Sequence, residues 1–233
     1  MIRRMSNDAR TTAGALIACA VAAVLVTTAV AVGGCHDTPH APSVDAADRD
    51  ARPVESAAIA NERVNWPVPT GWKHETLTFP LDFAPELPYR GVEELRFAPD
   101  FFEPASPTYW SYVFVWWLED RPVFDAPTMS ASLTEYFRGL SEAVGRGKHT
   151  FDPESFRATL TPKLGTEIPT LAGQVFTHDA FTTGLPLVLQ VEARLRRCPA
   201  SGRYSVTCML SPRAFEDPVW SDLRACAAAF DCR

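Results

Sequence analysis

Three hydropathy regimes follow one another along the chain. Residues 15–26 form an unbroken apolar run, resumed after Thr27 and Thr28 by residues 29–32. Residues 36–65 are rich in Ala, Pro, Asp, Arg and Ser and carry no sustained apolar period. From Trp66 onward, short alternating or helically spaced segments are separated by Pro- and Gly-containing turns.

The third regime predicts an α+β fold. Residues 109–119 give the strongest strand pattern. Trp110, Tyr112, Phe114, Trp116 and Leu118 share one parity, and Tyr109, Val113, Val115 and Trp117 the other. Both faces are apolar, which predicts a central strand covered on both sides. Its aromatic row is read as core packing. Weaker alternation predicts strands at 74–79 and 92–98, and further ones at 156–164, 171–181, 187–198 and 203–210. Ser132-Leu133-Thr134-Glu135 has capping-box spacing, and Leu133, Phe137, Leu140 and Val144 recur at helical intervals until Gly145 and Gly147 stop them. A last helix is expected from Asp217 as cap and Pro218 as first residue, burying Trp220, Leu223, Ala227 and Phe230. Strands joined by short turns imply an antiparallel sheet with two packed helices, one central and one C-terminal. The expected organisation is a leader over 1–34, a flexible tether over 35–65 and a single α+β domain over 66–233.

The first regime has the form of a secretory signal: a basic start with Arg3, Arg4 and Arg10, an apolar core and a small-residue exit. The exit, Val32-Gly33-Gly34-Cys35, resembles the bacterial lipobox. That resemblance implies a lipoprotein, acylated on Cys35 and cleaved before it, facing the extracytoplasmic side of a membrane in the cell envelope. Ala29-Val30-Ala31 also fits an ordinary cleavage site, and residues 15–32 approach spanning length. All three readings export the remainder. The tether cannot bury enough surface to offset its ordering entropy. Its His36 and His40 are read as solvated, because Pro39 and Pro42 oppose the helix that would align them.

Charge and cysteines sharpen this picture. The formal net charge is -6; Arg3, Arg4 and Arg10 against Asp8 put +2 on the leader and leave -8 on the rest. An acidic body argues against nucleic acid as a partner. Of six cysteines, Cys19 falls within the leader and Cys35 at its end, leaving Cys198, Cys208, Cys226 and Cys232. An even number in an exported domain suggests two disulfides. With the hairpin turn at 199–202, Leu195 opposes Val206, Val191 opposes Leu210 and Cys198 opposes Arg203. Cys198 and Cys208 are then about 16 Å apart along the ladder, beyond the roughly 7 Å that a bridge allows. Cys226 and Cys232 are about 9 Å apart if both are helical. The favoured pairs are Cys208–Cys226 and Cys198–Cys232, with a zinc site or reduced thiols as alternatives. Arg194, Arg196, Arg197 and Arg203 gather near the same hairpin tip and form a possible anion contact, or else a solvated tip that protects a sheet edge.

No recognisable catalytic motif emerges. The chain has no G-x-S-x-G elbow, P-loop or H-E-x-x-H. His178 and Asp179 are strand neighbours and point to opposite faces. His149 lies in a charged loop with Asp152 and Glu154, expected to be solvated. No metal or cofactor site is expected. Val68-Pro69-Thr70-Gly71-Trp72 before the first strand, with the Trp-led terminal helix ending near Phe230, is similar to PsbP-like proteins. This resemblance implies binding or assembly in place of catalysis. Residues 91–119, with Arg96-Phe97-Ala98-Pro99-Asp100-Phe101-Phe102, are similar to segments of uncharacterised bacterial proteins, which implies no activity. The expected role is a membrane-tethered module that binds an envelope protein or a small ligand. The rivals are an envelope hydrolase whose site is assembled from distant residues and a purely structural or assembly lipoprotein.

Overall fold

The computed structural model describes residues 64–232. The expected leader, Cys35, His36, His40 and nearly all of the expected tether lie outside these residues. Seven strands form one antiparallel sheet: β1 (Lys73–Thr78), β2 (Gly91–Phe97), β3 (Tyr112–Leu118), β4 (Arg157–Pro162), β5 (Thr170–His178), β6 (Pro186–Arg197) and β7 (Tyr204–Ser211). Their spatial order is β1-β2-β3-β7-β6-β5-β4. The sheet is thus two meanders, β1–β3 and β4–β7, joined where β3 pairs with β7. Helix α1 (Ala126–Gly145) lies in the connection between the meanders, and α2 (Val219–Ala228) follows β7. This is the α+β arrangement that the hydropathy pattern predicts.

Each face of the sheet carries its own core. On the α1 side, Phe114 and Trp116 of β3, Val191 of β6 and Cys208 of β7 are buried with Leu133, Tyr136 and Phe137 of the helix. On the α2 side, Val113 and Val115 meet Met209, Trp220, Leu223 and Phe230. Trp220 is fully buried. Its indole donates to the Arg213 carbonyl at 3.0 Å. Removing about 200 Å² of such surface from water is worth roughly 5 kcal/mol. All seven residues of β3 are buried, as its two apolar parities require. Tyr109 departs from the expected alternation and packs with the α1-side core. Trp110 has φ +49°, so the chain is not extended there and parity resets before β3 begins.

Helix α1 starts two turns earlier than the Ser132 box predicts. Asp125 is the N-cap, its carboxylate accepting from the Thr128 backbone N–H at 2.8 Å, with a proline in the first turn. Asp followed by proline is an equally good start signal. Ser132 instead faces inward and shares a 3.0 Å hydrogen bond with the Tyr89 hydroxyl. Gly139 lies against the 81–84 loop, where a Cβ would come within 1.8 Å of the Phe83 carbonyl oxygen. At α2 the expected cap is present: Asp217 accepts from the Val219 N–H at 3.0 Å, and Pro218 is already helical.

The β6–β7 register matches expectation, with Leu195 opposite Val206 and Val191 opposite Leu210. Cys198 and Cys232 form a disulfide. Cys208 and Cys226 do not, which corrects the second expected pair. Cys208 belongs to the α1-side core and Cys226 to the α2-side core, so the sheet stands between them. The four sulfurs therefore do not gather around one point, as a zinc site would require. Burial pushes the Cys226 thiol up to about 12 and raises Cys208 well above its usual value, so both are poor nucleophiles.

Candidate ligand cleft beneath the central helix

Strand parity places Lys73, Glu75 and Leu77 of β1, Glu93, Leu95 and Phe97 of β2, and Tyr112, Phe114 and Trp116 of β3 on the α1 side of the sheet. A cleft opens over this corner. Its floor is Glu75, Leu77, Leu95, Phe97 and Tyr112; Tyr136 and Leu140 of α1 form one wall. Phe83, Phe101, Trp110 and Phe181 close it from the loops. The lining is almost wholly apolar, and the cavity volume is about 20 Å³, room for a single water-sized group. A wider depression of about 740 Å³ adjoins it, with Lys73 on one side and residues 98–103 on the other; Phe101 lines both.

Beneath the cleft lies a polar centre that the hydropathy pattern does not announce. Glu93 is fully buried. Its Oε1 accepts from the Trp116 indole N–H at 3.0 Å, while Oε2 has no hydrogen-bond partner. Desolvation outweighs the hydrogen bonds from Trp116 and Tyr136 and, aided by the charge of Glu75, pushes Glu93 up to about 8. Glu75 is half-buried and desolvation lifts it to about 7. Register partners Glu75–Leu95 and Leu77–Glu93 make the two carboxyls diagonal neighbours on one face. The Tyr112 hydroxyl is buried and also without a partner. Burial, then the charge of Glu93, holds its pKa well above the ordinary phenol value.

Asp179 fixes the far end of the cleft. Its carboxylate is buried and accepts from the Trp110 indole at 3.1 Å, from the backbone N–H of Thr182 at 3.2 Å and Thr183 at 2.8 Å, and from both threonine hydroxyls. The turn that wraps this carboxylate presents Phe181, and the indole bond helps hold Trp110 in its left-handed conformation. Burial alone would raise the pKa of Asp179. Hydrogen bonds from Thr182, Tyr109 and Thr183 outweigh it and set the value at about 2. A carboxylate depressed in this way stabilises the fold above its ordinary value of 3.8 and loses that contribution as pH falls toward 2. Asp179→Ala is expected to cost about 3 kcal/mol in urea unfolding at neutral pH. The variant should also lose less stability than the parent between pH 4 and 2. Equal stability of the two proteins at neutral pH would refute this role.

The residues singled out by sequence are distributed differently. Arg194, Arg196, Arg197 and Arg203 do not make one patch. Alternate residues of β6 face opposite ways, so Arg194 and Arg196 lie on the α2 side with Glu192 and Cys198, and Arg197 on the α1 side. Arg194 is taken up by Glu192, donating from Nε at 2.9 Å. Glu192 is buried, and Lys163 at 3.0 Å and Arg224 at 3.8 Å also reach it. Arg203 lies over the Trp117 ring at 4.6 Å. Arg196 and Arg197 are exposed. His149 is half-buried, its ring 5.8 Å from that of Phe151, and is not a solvated loop residue. His178 lies 4.8 Å from Phe151 and 5.2 Å from Phe156, with Nδ1 buried and unbonded. Among the described residues, neither histidine is hydrogen-bonded to a carboxylate or a nucleophile, and no group of three or more His, Cys, Asp or Glu is placed to hold a metal. Glu75, Glu93 and Asp179 were the residues to notice. The one signal for Glu93 was its parity with Leu95 and Phe97, an acidic residue in an apolar row.

The chain matches no protein-family model, and no curated protein or solved structure shows significant similarity to it.

Proposed function

We propose that this chain is an extracytoplasmic lipoprotein, anchored through acyl groups on Cys35, whose folded part is a binding module for a small ligand with an apolar body. The single observation that carries the binding half is the largely apolar cleft under α1, which has Glu75 in its lining and adjoins the wider depression through Phe101. Sites for small ligands are commonly concave and apolar with a few placed polar groups. The histidines pack on phenylalanine rings and not beside a nucleophile, which favours binding over the hydrolase reading.

The attachment point suits this role. Asn65 bonds to Asp231, and the Trp66 indole donates to the Cys226 carbonyl at 2.9 Å. Trp66 belongs to the α2-side core, opposite the cleft. The described residues therefore begin on the sheet face opposite the cleft.

Two measurements test the proposal. Titration with 1-octanol is expected to change the tryptophan emission saturably, since Trp110 lines the cleft. Leu77→Trp, which fills the cleft from its half-buried edge, is expected to abolish that change in a protein that still folds. Incorporation of a labelled fatty acid in cells is expected to depend on Cys35, so Cys35→Ser should lose the label and leave the membrane fraction. Labelling that survives Cys35→Ser overturns the anchor.

A further inference from the structure

We propose that the cleft receives the ammonium head of a primary amine carried on an apolar body. This deepens the binding reading above and rests on it. The first ground is an excess of acceptors. Glu75 lines the cleft and makes no ion pair among the described residues. Tyr112, only 2% exposed, also lines it, and its buried hydroxyl has no partner. Glu93, diagonal to Glu75 and beneath the lining, keeps one buried oxygen unbonded. A primary ammonium offers three N–H donors and no acceptor. An alcohol brings one donor, and a carboxylate adds negative charge where two carboxyls already lie together.

The second ground is size. A cavity of about 20 Å³ accepts one water-sized group. An –NH₃⁺ head has that size and a trimethylammonium head does not. The third is the wall. Phe97, Phe101, Trp110 and Tyr136 surround the site, and aromatic faces attract a desolvated cation. Lys73 shares the sheet face two residues from Glu75, but it is exposed and makes no ion pair with that carboxyl. The groups facing Glu75 and Glu93 from neighbouring elements are Tyr112 on β3, Cys208 on β7 and Tyr136 on α1, none of them cationic. The raised values of both carboxyls agree with a site that lacks its positive partner.

The test compares four octyl probes by calorimetry at about pH 8, where the amine stays protonated and Glu75 is largely ionised. Octylammonium is expected to bind about tenfold or more tightly than 1-octanol. Octanoate and octyltrimethylammonium should bind more weakly than octylammonium. Glu75→Gln should reduce octylammonium to the level of octanol and leave octanol unchanged. Tyr112→Phe, which keeps the ring and removes the oxygen, should also weaken octylammonium alone. Equal binding of octylammonium and octanol, or an unaltered preference in Glu75→Gln, overturns the amine inference and leaves the apolar-ligand reading standing. Failure of every probe to bind overturns both.

Discussion

Cys198→Ser combined with Cys232→Ser is expected to lower unfolding stability by about 3–4 kcal/mol, measured by urea titration of the oxidised proteins. The bond links residues 34 apart, and closing a loop of that length removes roughly this much free energy of disorder from the unfolded chain. It also holds the end of the chain in place beyond α2. Cys232 lies buried beside the Ser205 hydroxyl, and Phe230 meets the Trp66 ring edge-on at 5.9 Å. Reducing agent should therefore bring the parent protein to the stability of the double variant. Cys208 and Cys226 should resist alkylation in the native state and react once the protein is denatured, because both thiols are buried. A loss below about 1 kcal/mol would show that the cores on the two faces hold the terminus without the bond.

Glu93→Gln is expected to raise stability at alkaline pH and to flatten its dependence on pH. The sign follows from the direction of the shift. Burial, only partly offset by Trp116 and Tyr136, lifts the folded-state value from 4.5 to about 8. Between these values the folded protein keeps a proton that the unfolded chain has released. Stability therefore falls as pH rises from about 4.5 toward 8 and levels off above that. The whole loss is on the order of 5 kcal/mol for a shift of this size. Glu75, lifted to about 7 by desolvation, acts in the same direction over a narrower window, by less because it is half-exposed. The groups facing Glu93 are Glu75 on β1, Trp116 and Tyr112 on β3, Cys208 on β7 and Tyr136 on α1, while Lys73 stands opposite Phe97 at the other end of the β1–β2 pairing. None of them places a cation against it. Unfolding in urea at pH 5 and pH 9 decides the matter: the parent should lose several kcal/mol between the two, and Glu93→Gln much less. Parallel curves for the two proteins would remove Glu93 as the cause. If an amine occupies the cleft, it should recover part of the parent's alkaline loss by supplying the missing positive charge.

These two predictions come from opposite kinds of information. The hairpin register was legible because Val191, Leu195, Val206 and Leu210 must all point the same way, and a one-residue slip turns every side chain over. That register also brought Cys198 to the tip, where Cys232 reaches it. The pairing of Cys208 with Cys226 failed at the next level. Parity says which residues share a face of one strand, but not which face a later helix will cover. Helix α2 covers the face that Cys208 does not occupy.

The arginines failed for a related reason. Nearness in sequence brings Arg194, Arg196 and Arg197 together, while the pleat turns Arg197 to the opposite face from the other two, and a buried acid at Glu192 draws Arg194 inward. The start of α1 was misplaced because Ser132 and Asp125 are both competent caps. Only the packing of Tyr89 against that helix shows that Ser132 is interior.

Periodicity by itself determined the order and type of the elements, the burial of β3 on both faces and the register of the last hairpin, because side-chain alternation and turn chemistry act between residues close along the chain. The tertiary structure alone decided what lies opposite each face. It set Glu75 beside Glu93, left one Glu93 oxygen and the Tyr112 hydroxyl without partners and roofed them with α1. Those relations join β1, β2, β3 and a distant helix, and no local pattern records the desolvation that results when such segments close on one another.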